Sequence, residues 1–427
     1  MGFLEELSKE DCAIVDSTVF KEYGYLMCLS GFYPSLKPEK KVLSVIQFIL
    51  FMFTLLINIS ALIITVYLAD DDETILTQSL HFLIIFGLSF FIFLSFTKSR
   101  PQFSRIHRDI GQGGFKYDKD THIFATSIKD SSKKKKKIIF FALPTFVSVI
   151  SLVIIVIGPL ADYFAGKLGD EIYTKGGISL NLPVPCWTPF GSSTIATFLA
   201  SSLMEAAGHS VNALALITAN ISVFYMVEHV STELKILHLA IKRLKERAQV
   251  LYRNRFGNNE MKNEYLTDCY KECLKENIAH HQKILSLNCD MNDVLSLCFS
   301  FGYFTGTLMI AISGVLVIFG NGHIGPVANA AFMGFTEIMQ VLLICWCGEE
   351  VTQASKDIST ILYSSEWYYQ DKDSNQLLEM MLLRSQKPLF LYFNNISNLP
   401  ANLETFSNLM NTAYSYFNLL YAIREEA

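Results

Sequence analysis

Four polar residues stand where lipid would make them costly. Ser202, Glu205, His209 and Asn212 interrupt an otherwise apolar stretch at spacings of 3, 4 and 3. That spacing puts all four on one face of a helix. Ionisable groups inside membrane-crossing helices are functional candidates, because each needs a partner, water or a ligand. Two uses fit the pattern: an interhelical hydrogen-bond seam, or the polar edge of a ligand cavity. Other apolar stretches offer His81, then Ser148 with Ser151, then Tyr303 with Thr305 and Thr307, then Thr336 with Glu337, all among Phe, Ile and Met. A mostly apolar cavity with few polar groups suits a small, volatile, largely hydrophobic ligand. The candidate binding residues are therefore His81, Ser151, His209, Asn212, Tyr303 and Thr336, placed in the outer half of the membrane.

Near the C-terminus the pattern changes. Glu404, Asn408, Asn411, Ser415, Asn418 and Ala422 step by 4, 3, 4, 3 and 4, while Leu403, Phe406, Met410, Ala413, Phe417 and Leu420 form a bulky apolar side. Within a membrane such a helix either packs its polar face inside a monomer or turns it to water. One helix cannot enclose a pore, so the second use requires several subunits. Glu404 at the mouth would favour cations. Cys345-x-Cys347, and Cys273 with His280-His281, lack the paired spacing of a zinc site. No nucleophile–base pair stands out either, so neither an enzyme nor a cofactor is expected.

These residues must be positioned by helices. The chain has 427 residues, 51% hydrophobic and 18% charged, where a soluble domain carries about 25% charge. Between Asp293 and Glu337, 43 consecutive residues include no Asp, Glu, Lys or Arg. A secreted enzyme, a nucleic-acid binder and a disordered scaffold are excluded. Crossing a bilayer takes about 20 apolar residues. Seven stretches qualify: Val42–Leu68, Thr74–Thr97, Ile138–Ala161, Ser193–Val227, Val294–Phe319, Pro326–Gly348 and Asn402–Ile423. The loops alternate in charge. Segments 1–41, 98–137, 228–293 and 348–401 hold 32 of the 35 Lys and Arg residues, and the other side holds 3. Positive charge stays in the cytoplasm. The reading is an all-α polytopic membrane protein, with the N-terminus cytoplasmic and the C-terminus extracellular. A G-protein-coupled receptor has the opposite orientation.

The cytoplasmic side is large and helical. Val230, Leu234, Leu237, Ile241, Leu244, Ala248 and Leu251 repeat at 4 and 3, a heptad seam ending near Gly257. A second helix, about 260–290, runs towards the fifth span. The seam suits a local hairpin or an association between subunits. Lys133–Lys137, immediately before the third span, attract anionic lipid headgroups as well as fixing topology.

The last third of the chain carries an ordered set of motifs. It reads Cys345-x-Cys347-Gly348-Glu349-Glu350-Val351, Ser355, Tyr363-Ser364-Ser365-Glu366-Trp367-Tyr368 and Arg384-Ser385-Gln386-Lys387-Pro388. Leu403-Glu404-Thr405-Phe406 and Thr412-Ala413-Tyr414-Ser415-Tyr416-Phe417-Asn418-Leu419-Leu420 follow. Weaker matches are Val184-Pro185-Cys186-Trp187-Thr188-Pro189-Phe190 and His281-Gln282-Lys283-Ile284-Leu285. The chain resembles the insect odorant receptors. It looks like a ligand-tuning subunit, since the shared co-receptor is longer in the loop that here is only 228–293. The resemblance implies an odorant-gated, non-selective cation channel, a hetero-tetramer with co-receptor subunits in the plasma membrane of a sensory dendrite, requiring no G protein. It divides the chain into a cytoplasmic segment 1–41, a sensing bundle 42–227, a cytoplasmic anchor 228–293, spans five and six at 294–348, an anchor with a pre-pore helix at 349–401, a pore helix 402–423 and a tail 424–427. Matching the final helices places Asn408, Asn411 and Ser415 in the pore, Leu419 at its aliphatic gate and Ala422 where the co-receptor has a filter Gln. The alternatives are a seven-span transporter and a gustatory-type ligand-gated channel. The Thr-Tyr then Gln-Phe pattern of gustatory receptors is absent, since Ala413-Tyr414 is followed by Leu420. The charge asymmetry predicts that a C-terminal tag is labelled on intact cells and an N-terminal tag is not; surface labelling of the N-terminal tag would contradict this topology.

Overall fold

The computed structural model describes residues 9–32, 38–69, 73–152, 177–179, 182–257, 263–319, 324–394 and 399–426. The chain is almost wholly helical. In order come α1 (Lys9–Tyr23), α2 (Leu26–Leu29), α3 (Pro38–Leu68), α4 (Glu73–Lys98), α5 (Arg100–Gln112), α6 (Lys119–Leu152), α7 (Ile195–Lys242) and α8 (Leu244–Phe256). After them come α9 (Asn263–Phe319), α10 (Ile324–Tyr363), α11 (Lys372–Ser385), a small antiparallel pair β1 (Tyr392–Asn394) and β2 (Leu399–Pro400), and α12 (Leu403–Glu426).

Among the described residues, α3, α4, α7, α9 and α10 are long and apolar enough to cross a membrane. They coincide with expected spans one, two, four, five and six. The third expected span begins in α6, and its part beyond Leu152 lies outside the described residues, as does the turn at 320–323. The last expected span is helical as α12. It falls outside the apolar set because its Asn and Glu stripe lowers its hydropathy.

α7 packs against α3, α4, α6, α9 and α10. Of its apolar window 72% is buried, against 28% for α3. A helix that is apolar all round has to be enclosed. It starts at a reciprocal cap, where the Thr194 side chain accepts from the Thr197 amide at 3.2 Å and the Thr197 hydroxyl accepts from the Thr194 amide at 3.1 Å. Hydroxyls inside the apolar stretches largely serve their own helices. Thr65, Thr218, Ser222, Thr305 and Thr307 each donate to the carbonyl four residues back, at 2.6–3.0 Å. Such bonds let small polar residues sit in lipid without an external partner.

The heptad seam is used within the subunit. Val230, Leu234, Leu237, Ile241, Leu244 and Ala248 are buried in one core with Cys273, Leu274, Ile358 and Leu362. The hairpin reading holds, with α7 and α8 folded back on α9. A polar network lies beside it. The Arg247 guanidinium donates to Asp118 at 3.0 Å, Glu276 at 2.5 Å and Asn277 at 2.8 Å, and it stacks over the Tyr117 ring at 4.4 Å. Glu233 accepts from the Phe115 amide at 3.0 Å and from His280 at 2.9 Å, and the other His280 nitrogen faces the Tyr117 hydroxyl at 2.9 Å. Asp109 pairs with His229 at 2.9 Å and with Lys283. Burial would raise the Asp109 pKa, but these two partners outweigh it and hold the carboxyl below its usual range.

The chain entering α12 is clamped to α9 and α10. Asn292 donates to the Phe390 carbonyl at 2.9 Å and accepts from the Tyr392 amide at 2.9 Å. Ser300 donates to the Phe393 carbonyl at 2.9 Å, and the Ser355 hydroxyl accepts from the Leu389 amide at 2.8 Å. Gly348 completes the joint, because a Cβ there would lie 2.0 Å from the Ala401 carbonyl oxygen. Backbone cannot swing aside as a side chain can. Gly348→Ala should therefore cost about 1–3 kcal/mol, the usual range for overpacking, and lower the melting temperature of the detergent-purified protein. Gly302→Ala, where the nearest atom would be a Leu88 methyl at 3.7 Å, should melt as the parent does. Equal melting of all three proteins would contradict the joint.

Candidate functional site

α4, α6, α7, α9 and α10 line a cavity of about 500 Å³. Its walls are apolar, with Phe82, Ile85, Leu88, Leu143, Phe146, Leu216, Met309 and Met333 prominent. Its polar groups are His209, Asn212, Asn220, Thr336, Glu337 and Gln340. A volume of this size and lining holds a small hydrophobic molecule and offers it a few fixed hydrogen-bonding positions.

Each polar group is held by its own surroundings. The His209 ring meets Phe82 and Phe86 edge-on, at 5.2 and 5.4 Å between centroids. The Asn212 side-chain carbonyl accepts from the Ser89 hydroxyl of α4 at 2.5 Å, which leaves its amide hydrogens for an occupant. Asn220 is the reverse case. Its amide donates to the Leu216 carbonyl at 2.9 Å and its oxygen remains. Thr336 donates to the Met333 carbonyl at 2.7 Å. Glu337 is buried, and Gly306 of α9 makes room for its carboxyl, since a Cβ there would stand 2.7 Å from Oε1.

The sequence-based candidates divide. His209, Asn212 and Thr336 come together at the cavity. His81 is buried outside it, and among the described residues neither ring nitrogen has a hydrogen-bond partner. The Ser151 side chain lies outside the described residues. Tyr303 lines a second cavity of about 320 Å³ between α9 and α12, together with Thr412, Tyr416, Leu419 and Leu420. Glu205 does not pair with His209. It accepts from the Cys186 thiol at 3.1 Å, in the segment that precedes α7. Asn220 and Gln340 were not among the sequence candidates. Asn220 extends the Asn212 face by two turns, and Gln340 follows Thr336 by one, so helical spacing could have found both. The cavity also lies deeper than expected. On α6 it spans 139–147, near the start of the expected third span, and on α7 it spans 209–220, in the second half of the fourth.

α12 presents its stripe outward. Asn408, Asn411, Ser415, Leu419 and Ala422 are all exposed, Leu419 by 58%. Leu409 and Ala413 are buried, and Phe417 packs where a Cβ on Gly314 of α9 would be 3.0 Å from its ring. From Phe406 onward the bulky side faces the subunit, Leu403 at the start is 44% exposed, and the polar side faces away.

Comparison with known proteins agrees with this architecture. The chain superposes on the insect olfactory receptor OR5 from Machilis hrabei, solved in complex with eugenol, with a TM-score of 0.77, covering 96% of this chain and 98% of that one. At 16% identity this is a likeness of fold. In sequence the chain is 31% identical to odorant receptor 10 of Aedes albopictus over 181 residues, which is 42% of this chain and 45% of that one. It is 27% identical to odorant receptor Or2 of Anopheles gambiae over 151 residues, 35% of this chain and 38% of the other. The matched stretches thus span less than half the length of these curated relatives. The family model for the 7tm odorant receptors matches residues 74–414, well over half of the chain. With that match, the chain belongs to the 7tm odorant receptor family, a family of receptors and not of enzymes.

Proposed function

We propose that this protein is the ligand-tuning subunit of an odorant-gated, non-selective cation channel. It assembles with co-receptor subunits as a hetero-tetramer in the plasma membrane of a sensory dendrite, with seven spans, its N-terminus in the cytoplasm and its C-terminus outside. A small volatile hydrophobic odorant occupies the 500 Å³ cavity. Each methylene it buries contributes about 0.8 kcal/mol, and His209, Asn212 and Thr336 orient it. The observation that carries this reading is one of connectivity. α9 and α10 wall the cavity, and the same two helices hold the segment entering α12 through Asn292, Ser300 and Ser355. A shift of either helix on ligand binding moves the start of α12.

In the assembly the α12 stripe lines water. Leu419 contributes an aliphatic ring that dewets when closed. The ligand shifts the closed–open balance only by binding the two states unequally. The helical extensions of α7, α9 and α10, with α8 and α11, form the cytoplasmic anchor.

Current recorded with the co-receptor in a lipid bilayer, without nucleotides or G proteins, tests the channel reading. In that system His209→Leu should change potency by about tenfold or more for ligands that donate or accept at the imidazole, the effect of about 1.4 kcal/mol. Surface expression should stay normal, and unchanged dose–response curves across a chemically varied panel would remove His209 from the site. Leu419→Ser should raise current without odorant, because it lowers the dry barrier before any helix moves. Unaltered basal current in an assembled heteromer would assign the gate to the co-receptor alone.

A further inference from the structure

The fold sorts the five consecutive lysines of α6 into two groups. Lys135 turns inward to Glu228 at 3.6 Å and Glu350 at 3.3 Å, and Lys136 reaches Glu22 at 2.9 Å. Burial opposes the Lys135 charge, but the two carboxylates outweigh it and raise its pKa. Lys133 pairs along its own helix with Asp130 at 3.1 Å. Lys134 and Lys137 are different. Both are exposed, and among the described residues neither has an ion-pair or hydrogen-bond partner. Three residues apart, they share one face of the helix.

That face continues as an open apolar strip, a shallow groove lined by α6 alone. Ile138, Phe141, Thr145 and Val149 run down from the two lysines, flanked by Ala142 and Phe146. Ile138 is 66% exposed and Phe141 61%, large apolar surfaces left open among the described residues. A basic pair above an apolar groove matches one kind of molecule. A free anion would use the lysines and leave the groove empty. A zwitterionic lipid would fill the groove, but its own cation competes for its phosphate. An anionic phospholipid uses both.

We propose that α6 carries a seat for an anionic phospholipid, with the headgroup phosphate at Lys134 and Lys137 and an acyl chain along Ile138, Phe141, Thr145 and Val149. Ala142 and Phe146 line both this groove and the ligand cavity, so the lipid backs the cavity wall and its presence sets ligand sensitivity. The seat rests on α6 crossing the membrane with its lysines at the cytoplasmic surface, where the leaflet is negatively charged. Its occupancy does not depend on channel activity.

The test uses the full-length protein in phosphatidylcholine nanodiscs with a trace of phosphatidylserine carrying a photoactivatable acyl chain, followed by peptide mapping. Labelling should fall within 138–149 and be competed by unlabelled phosphatidylserine, but not by phosphatidylcholine or inorganic phosphate. One lysine near an anionic surface is worth about 1 kcal/mol, or roughly fivefold. Lys134→Gln with Lys137→Gln should therefore reduce labelling at least about tenfold. The charge-matched pair Lys129→Gln with Lys133→Gln should leave it unchanged. Equal losses in the two double variants would mean general charge attraction and overturn the seat, as would equal labelling by a phosphatidylcholine probe. Competition by inorganic phosphate alone would reduce it to an anion site.

Discussion

A polar group taken out of water must find a partner inside the protein, and that requirement arranges this molecule. α7 carries Glu205, His209, Asn212 and Asn220 through the apolar zone, and of the five long apolar helices among the described residues it is the most fully buried. Its Thr218 and Ser222 bond to their own backbone, its Asn212 bonds to Ser89 of α4, and its Glu205 bonds to Cys186. Of the capacity left over on α7, the amide hydrogens of Asn212, the oxygen of Asn220 and the ring of His209 face the cavity, while Ser202 Oγ and Glu205 Oε2 are buried away from it with no partner among the described residues. The cavity is polar only where the surrounding helices leave capacity over.

The same requirement applies beneath the apolar zone, where charge replaces hydroxyls. The Arg247 side chain is 3% exposed and is met by Asp118 and Glu276. Removing both carboxylates would leave that buried charge uncompensated, at a cost of about 3–5 kcal/mol. These contacts join 109–118 to α7, α8 and α9. In the proposed mechanism they are the fixed base against which α9 and α10 transmit movement to α12. On that proposal, the clamp at 389–393 carries a small change in the cavity wall to a helix outside the cavity.

Much of this was legible in the sequence. Uninterrupted apolar runs located α3, α4, α7, α9 and α10, because length and composition alone decide whether a helix can cross lipid. Spacings of 3 and 4 correctly separated the two sides of α12. Spacing could not say which neighbour a face meets. The seam from Val230 to Ala248 repeats as a subunit interface would, yet it packs on α9 of its own chain. His81 and Tyr303 lie at depths similar to that of His209, but a helix's rotation about its axis decides what it lines, and the sequence does not record that rotation. Glu205 shares a helix face with His209, four residues away, yet its partner Cys186 comes from a loop whose path only tertiary contacts fix. The clamp residues Asn292, Ser300 and Ser355 bond to backbone, which leaves no complementary side chain to read.

The central claim is that ligand occupies the cavity among α4, α6, α7, α9 and α10 and acts at a distance on α12. Electron cryo-microscopy of the co-receptor heteromer with an activating odorant bound tests it most directly. The account predicts ligand density bounded by Phe82, His209, Met333 and Thr336, with the segment 389–401 displaced relative to the ligand-free state. Density instead in the smaller cavity beside Tyr303, Thr412 and Leu419 would place the ligand directly on α12 and contradict the account.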